Sequence, residues 1–307
     1  MPWTPDSLPD LSDRTIVLTG ANSGIGWEAT RHLATRGARV VMACRNQEKG
    51  KDALARILEQ LPTARLELAK LDLGSLASIR ACAEDLKARF PRIDVLVNNA
   101  GIMAIPRALT EDGFEVQLGT NHLGHFALTG LLLDTLQRGE APRVVSVASL
   151  AHQMGRIDFD DLMGERRYQK WAAYGQSKLA NLLFTYELDR RLAARGIGIV
   201  AAACHPGYSS TNLHGVGPEQ AKSAIAGAFF KMGHVVFGMS AEQGALPTVY
   251  AAAAPGVVGG DYVGPDGLFE VWGYPKKVTS NAASKDVAVA SKLWEASERL
   301  TGVEWLS

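Results

Sequence analysis

Tyr174 and Lys178 set a phenol and an ammonium four residues apart, in the run Trp171-Ala-Ala-Tyr-Gly-Gln-Ser-Lys-Leu-Ala-Asn181. Leu179, Ala180, Leu182, Leu183, Phe184 and Leu188 continue that run as good helix formers with an apolar stripe. On a helix, positions i and i+4 share one face, so the two polar groups become neighbours. A free tyrosine titrates near ~10, too high for proton exchange at neutral pH. A fixed cation beside it favours the phenolate, and such a pair can act as a general acid/base. An isolated Tyr-x-x-x-Lys is equally an ordinary helical surface, so the elements that would position the pair decide its meaning.

Composition narrows the field. Lys plus Arg and Asp plus Glu both number 32 in the 307 residues, which argues against a nucleic-acid or membrane-surface partner. Cys44, Cys82 and Cys204 are odd in number and form no C-x-x-C, a pattern of a reducing compartment and not of a disulfide or zinc scaffold. The segment 1–12 has neither a basic nor an apolar signal-peptide region and is expected to be an arm. The most apolar later stretch, Ala224 to Met239, is interrupted by Lys231 and His234. No membrane anchor and a cytoplasmic location are the expectations.

The chain then alternates. Thr15–Thr19 reads as a buried strand, Gly20-Ala-Asn-Ser-Gly24-Ile-Gly26 as a glycine turn, and Trp27–Arg36 as a helix closed by Gly37. Glycines admit a diphosphate close to the backbone, and a helix start offers free N–H groups. A second strand, Ala38–Cys44, ends in Arg45-Asn46. A basic residue there accommodates a ribose 2′-phosphate, where an acidic one would bind the hydroxyl, so NADP(H) is favoured over NAD(H). Helix 47–60, strand 65–71, helix 76–90 and strand 93–97 follow, with Asp72-Leu73 and Asn98-Asn-Ala100-Gly101 at strand ends. A helical region from Asn121 to Leu136, strand 143–147 ending in Ser149, the Tyr174 helix, strand 197–203 and Pro206-Gly207 come next. Segment 219–237 reads as a helix pair or lid, 241–254 as a helix and 261–263 as a short strand. A tail helix over 285–300 places Val287, Ala290, Leu293, Trp294 and Leu300 on one face. His122 and His125 are one turn apart, but with no carboxylate or thiol nearby they read as core or interface histidines; no metal site is expected. Strands separated by helices imply a single-domain α/β Rossmann fold over 1–307, a doubly wound parallel sheet of about seven strands with helices on both faces.

In this order, Thr19-Gly-x-x-x-Gly-Ile-Gly26, Asn98-Asn-Ala-Gly101, Asn121, Ser149, Tyr174-x-x-x-Lys178 and Pro206-Gly207 with Thr211 resemble the short-chain dehydrogenase/reductase family, over almost the whole chain. The resemblance implies that Tyr174 exchanges a proton with the reacting oxygen and that Ser149 holds it. Lys178 would lower the tyrosine pKa and bind the nicotinamide ribose, and Asn121 would support a water relay. It further implies cofactor contacts at Gly20, Asn22, Ser23, Gly24, Ile25, Gly26, Arg45, Asn46, Asp72, Leu73, Asn98, Ala100, Gly101, Tyr174, Lys178, Pro206, Gly207 and Thr211. Asn22 and Ser23 stand where NADP-preferring relatives often carry a basic residue, which leaves the preference to Arg45.

Ser149 and Tyr174 are 25 positions apart, about twice the usual separation in the family. The insert 150–172, with Ala43-Cys-Arg-Asn46, Thr120-Asn-His-Leu-Gly-His125 and Ser177-Lys-Leu-Ala-Asn181, resembles the retinol dehydrogenase-like and anthracycline ketoreductase-like branch. Met103, Ile105, Leu150, Met154, Tyr168, Trp171, Tyr208 and Leu213 would line an apolar pocket for a lipophilic aldehyde, ketone or alcohol, under a lid at 212–240. Relatives commonly dimerise through helices corresponding to 121–136 and 173–190, where Leu131, Leu132, Leu133 and Phe184 serve either a homodimer face or the core. The alternatives are a non-catalytic NADP(H)-binding regulator and a nucleotide-sugar epimerase.

Overall fold

In the computed structural model, residues 2–208 and 239–306 are described. The expectations for Thr211, Leu213, the helical segment 219–237 and all but the last two residues of the 212–240 lid lie outside them.

Strand and helix alternate at the start: β1 (Thr15–Thr19), α1 (Gly24–Thr35), β2 (Arg39–Cys44), α2 (Gln47–Gln60), β3 (Arg65–Lys70), α3 (Leu76–Arg89) and β4 (Val95–Asn98) open the chain. Short helices α4 (Val116–Leu118), α5 (Gly124–Leu131) and α6 (Leu133–Gln137) lead to β5 (Arg143–Val147). The long α7 (Lys170–Ala194), β6 (Val200–Cys204), α8 (Ala241–Ala253), β7 (Tyr262–Pro265), β8 (Pro275–Val278) and α9 (Val287–Thr301) complete it. The sheet has eight strands in the order β3-β2-β1-β4-β5-β6-β7-β8. All neighbours are parallel except β7 and β8, which pair antiparallel from Tyr262↔Val278 to Pro265↔Pro275. The eighth strand corrects the expected count of about seven. It begins with Pro275, whose missing N–H is tolerated at a sheet edge.

Alternate residues of each strand feed opposite faces. Ile16, Leu18, Val40, Met42, Val95 and Val97 pack under α1, α2 and α8. Val17, Val41, Leu96 and Val144 face α3, α5, α7 and α9. The N-terminal arm docks: Leu8 and Leu11 are buried in the first layer, and the Trp3 ring lies edge-on to Tyr250 at 5.1 Å. Among the described residues no helix is long and apolar enough to cross a membrane.

On the second face Phe126, Phe184, Trp294 and Trp305 form one aromatic cluster, with Trp294 5.0 Å from Phe126 and stacked at 5.8 Å on Phe184. Leu132, Leu133 and Phe184 are therefore core side chains, covered by the chain's own C-terminal helix. On α9, Ala290, Leu293 and Trp294 are buried, whereas Val287 in the first turn is 55% exposed and does not dock.

Candidate active site

The strand order reverses between β1 and β4, and ligands of such sheets bind outside the carboxyl ends of the strands at that switch. Gly20–Gly26 follows β1 there. Gly20 has φ +69° and Gly24 φ +54°, values that favour glycine. A side chain at Gly26 would place its Cβ 2.3 Å from the Gly20 carbonyl oxygen. Helix α1 thus starts from Gly24, earlier than the expected Trp27. The Ser23 side chain makes no capping hydrogen bond, so the first-turn N–H groups keep no side-chain acceptor. Beneath the turn, the Cys44 thiol is pushed up to about 11 by burial, while backbone hydrogen bonds from Ala21 and Asn22 act the other way.

The remaining strand ends differ in character. Arg45 is exposed beyond β2, and Asn46 accepts from Lys49 N at 2.9 Å as the cap of α2. Asp72 is half-buried, its carboxylate accepting from Gly74 N at 2.9 Å, and Leu73 is buried. Asn98 is 1% exposed and donates to Thr129 Oγ1 at 3.0 Å. Asn99 and Ala100 instead stitch the two strand ends: both N–H groups donate to Thr19 Oγ1, and Asn99 Nδ2 donates to Thr19 O at 2.8 Å.

Asn121 sits in a π-helical turn, Gly119–Leu123, closed by Gly124 N donating to Gly119 O. This turn breaks the single helix expected over 121–136 and is typical of functional sites. The Asn121 side chain clips residue 102: Oδ1 accepts from Ile102 N at 2.9 Å, and Nδ2 donates to Ile102 O at 3.0 Å and to Ser177 Oγ at 2.9 Å. His125 and Thr19, which sequence reasoning left out of the site, support the turn. His125 Nδ1 donates to Asn121 O at 3.0 Å, and its Nε2 meets Thr19 Oγ1 at 2.9 Å. Burial holds His125 at about 4 and His122 at about 3, so both are neutral core histidines, as expected. The i,i+4 spacing of Asn121 and His125 was the available signal.

Ser149 and Tyr174 come together despite their separation, the Ser149 hydroxyl close enough to the phenol to act on its pKa. The insert makes this possible by folding back on α7. At Gly155 an added Cβ would lie 2.3 Å from Gly175 O, so the backbones cross where neither has a side chain. Gln176 accepts from Asp158 N at 3.0 Å and donates to Leu162 O at 3.1 Å. Ile157 packs with Leu179 and Leu183. Tyr168 is tied down by its hydroxyl, which lies 3.0 Å from Ile105 O and 3.1 Å from Glu115 Oε1 as alternative acceptors for its one proton. Of the other residues expected at the pocket mouth, Met154 is 61% exposed, Leu150, Ile105 and Tyr208 are half-buried, and the half-buried Trp171 lies edge-on to Tyr174 at 6.3 Å.

Lys178 is 4% exposed, and its Nζ donates to Val147 O at 2.9 Å. A Cβ on Gly101 would lie 3.5 Å from that Nζ and 3.2 Å from Asn121 Oδ1, which places the three residues around one space. Burial brings the ammonium down to about 8. It also raises the Tyr174 phenol above its ordinary value, against the lowering influence of the nearby Ser149 hydroxyl. The expected lowering by Lys178 is therefore not what the cofactor-free geometry gives. The Nζ lies 5.8 Å from the ring centroid, and desolvation dominates. Pro206-Gly207 closes the crevice after β6, with Gly207 at φ +68°.

These residues fit a dinucleotide: an uncapped helix start behind a glycine turn suits a diphosphate, and a buried ammonium with three donors, one of them on Val147 O, suits ribose hydroxyls. A family model described as short chain dehydrogenase matches residues 14–221. The chain is 42% identical to human retinol dehydrogenase 13 over 304 residues, covering 97% of this chain and 87% of that protein. It is 40% identical to mouse polyprenol dehydrogenase over 306 residues, 98% and 87% of the two. A crystal structure of an uncharacterized protein from Mycobacterium paratuberculosis aligns with a TM-score of 0.82 at 45% identity, covering 99% of both chains. The Pseudomonas aeruginosa RhlG/NADP active-site complex aligns at 0.66 and 25% identity over 85% of this chain and 98% of that one. The protein therefore belongs to the short-chain dehydrogenase family, in its retinol dehydrogenase-like branch, and is an NAD(P)-dependent oxidoreductase.

Proposed function

We propose that this protein transfers a hydride between NADP(H) and a lipophilic aldehyde, ketone or alcohol, with Tyr174 as the general acid/base. The observation that carries this reading is the buried Lys178 sharing one space with Gly101 and Asn121 at the carboxyl ends of the strands, with the Ser149 hydroxyl close enough to Tyr174 to act on its pKa. The nicotinamide, when bound, supplies or accepts the hydride. In the reductive direction Tyr174 gives its phenolic proton to the developing alkoxide, and Ser149 donates a hydrogen bond to the same oxygen. Lys178 holds the ribose hydroxyls and its positive charge favours the phenolate left behind. Asn121 fixes residue 102 and Ser177 around this centre. The turn Gly20-Ala-Asn22-Ser23-Gly24-Ile25-Gly26 binds the diphosphate, Asp72, Leu73 and Asn98 to Gly101 border the adenosine, and Pro206 and Gly207 border the nicotinamide.

The exposed Arg45 supports NADP(H), as does the fold shared with NADP complexes such as that of RhlG. The relatives named for retinol and polyprenol, both apolar alcohols, support a lipophilic substrate. The test is NADPH and NADH oxidation against a panel of lipophilic aldehydes and ketones. A preference for NADPH of about tenfold or more in kcat/KM, reduced in Arg45→Ala, is expected, because tenfold corresponds to one interaction of about 1.4 kcal/mol. Higher efficiency with NADH would overturn the cofactor assignment, and NADPH binding without oxidation across the panel would favour a non-catalytic role.

A further inference from the structure

His205 follows β6, immediately before Pro206-Gly207, and its side chain is 0% exposed. Two partners of opposite demand face its ring. Gly207 N lies 3.2 Å from Nδ1, and Glu270 Oε2 lies 3.0 Å from Nε2. A backbone amide only donates, so Nδ1 accepts; the imidazole proton then sits on Nε2 and is given to the carboxylate. The tautomer is fixed from both ends.

The space around the ring is shaped for it. A Cβ on Gly264 would fall 2.1 Å from His205 Nε2, so β7 admits the imidazole only as glycine there. At Gly207 a Cβ would lie 2.5 Å from Val271 O. Tyr208 N donates to that same carbonyl at 2.8 Å, fastening the turn to the segment that carries Glu270. Phe269 and Glu270 sit at φ +54° and +59°, a left-handed conformation that disfavours side chains. Strain of this kind persists where the surroundings over-determine it, often at functional sites.

We propose that His205 is a positioning residue: held in one tautomer by Glu270 and seated on Gly264, it pins the Gly207 amide and so preforms the Pro206-Gly207 turn for the nicotinamide end of the cofactor. This rests on the functional reading above for what the turn receives, whereas the pinning itself is a property of the cofactor-free protein. Glu270 lies 65 positions from His205, on a loop that no cofactor motif includes.

The test compares two conservative variants. His205→Asn places a carboxamide oxygen near the position of Nδ1 and retains the acceptor for Gly207, whereas His205→Gln places an amide donor near Nε2 and loses it. Hydrogen exchange over residues 207–208 is measured in the cofactor-free proteins, together with NADPH dissociation constants by fluorescence titration. In His205→Gln, exchange rises and NADPH affinity falls by about tenfold each, the scale of one lost hydrogen bond; His205→Asn stays within about twofold of the native protein. Glu270→Ala, which leaves the buried niche intact, raises exchange by a smaller factor. Native-like exchange in a folded His205→Gln, or equal damage in the Asn and Gln variants, overturns the proposal. A native protein that takes up no NADPH sinks the functional reading, and the exchange comparison then decides the positioning role alone.

Discussion

Helices α1 and α2 begin one strand apart and are started in opposite ways. At α2, the Asn46 side chain accepts from Lys49 N and the chain satisfies its own helix end. At α1, Ser23 offers no such bond, and it stands between Gly20 and Gly26, whose neighbours leave no room for a Cβ. Ser75, Gln169, Ser240 and Asp286 cap α3, α7, α8 and α9 in the manner of Asn46. Among the described helices of twelve residues or more, α1, which meets the switch point, is the one that begins without a side-chain cap. A helix start left uncapped in this way suits an anionic ligand.

The contrast can be broken or sharpened by substitution. Tyr174→Phe should lower kcat by about 10³, within the usual range for a lost acid/base, while NADPH affinity stays within about threefold. Steady-state rates with an equilibrium titration check this, and native turnover would remove the proton-transfer role. Lys178 is a buried charge with no carboxylate partner among the described residues, and its stability sign is unusual. Its pKa is about 8 in the fold against an ordinary 10.5. Below 8 both folded and unfolded states hold the proton and the burial penalty is present in full. Between 8 and 10.5 the unfolded state binds more protons, so stability rises with pH. Lys178→Met should therefore stabilise the cofactor-free protein at pH 7 by about 3 kcal/mol, and its urea midpoint should lack the alkaline rise of the native protein.

Gly26→Ala should destabilise the fold by about 1–3 kcal/mol through overpacking, with a loss of NADPH affinity in the same variant. A soluble, tightly binding Gly26→Ala protein would contradict the close approach to Gly20 O. Smallest is the cap pair itself: Asn46→Ala should cost about 1 kcal/mol in denaturant unfolding, and Ser23→Ala close to nothing without cofactor. Equal costs would erase the distinction between the two helix starts.

The first half of the molecule was legible because its chemistry is local. A strand, a glycine turn and a helix lie within one short stretch, and period and glycine spacing reveal them together. Tyr174 and Lys178 were found from their i,i+4 spacing and Asn121 and Ser149 from the family resemblance; the structure sets Asn121 and Lys178 around one space and Ser149 near Tyr174. What stayed hidden depends on distant partners. His125 is joined to Thr19 across 106 positions and His205 to Glu270 across 65, contacts that leave no periodicity in the sequence. Strand β8 escaped notice because Pro275-Lys-Lys-Val278 has no alternation of two buried faces and pairs only at an edge. Tyr168 was placed at a pocket, yet half its character lies in a hydroxyl that anchors the insert to Glu115 and Ile105.

The three residues between Tyr174 and Lys178 look like spacers in the motif. In this fold each is spoken for: Gly175 makes room for the insert backbone, Gln176 holds Asp158 and Leu162, and Ser177 accepts from Asn121. The five-residue segment is thus a junction for three separate chain regions. Transplanting the pair into another scaffold would have to carry Ile102, Asn121 and the stretch from Gly155 to Leu162 with it. Shortening the insert in this protein would in turn release Gly175 and Gln176 to vary, while Ser177 would remain bound to the π-turn.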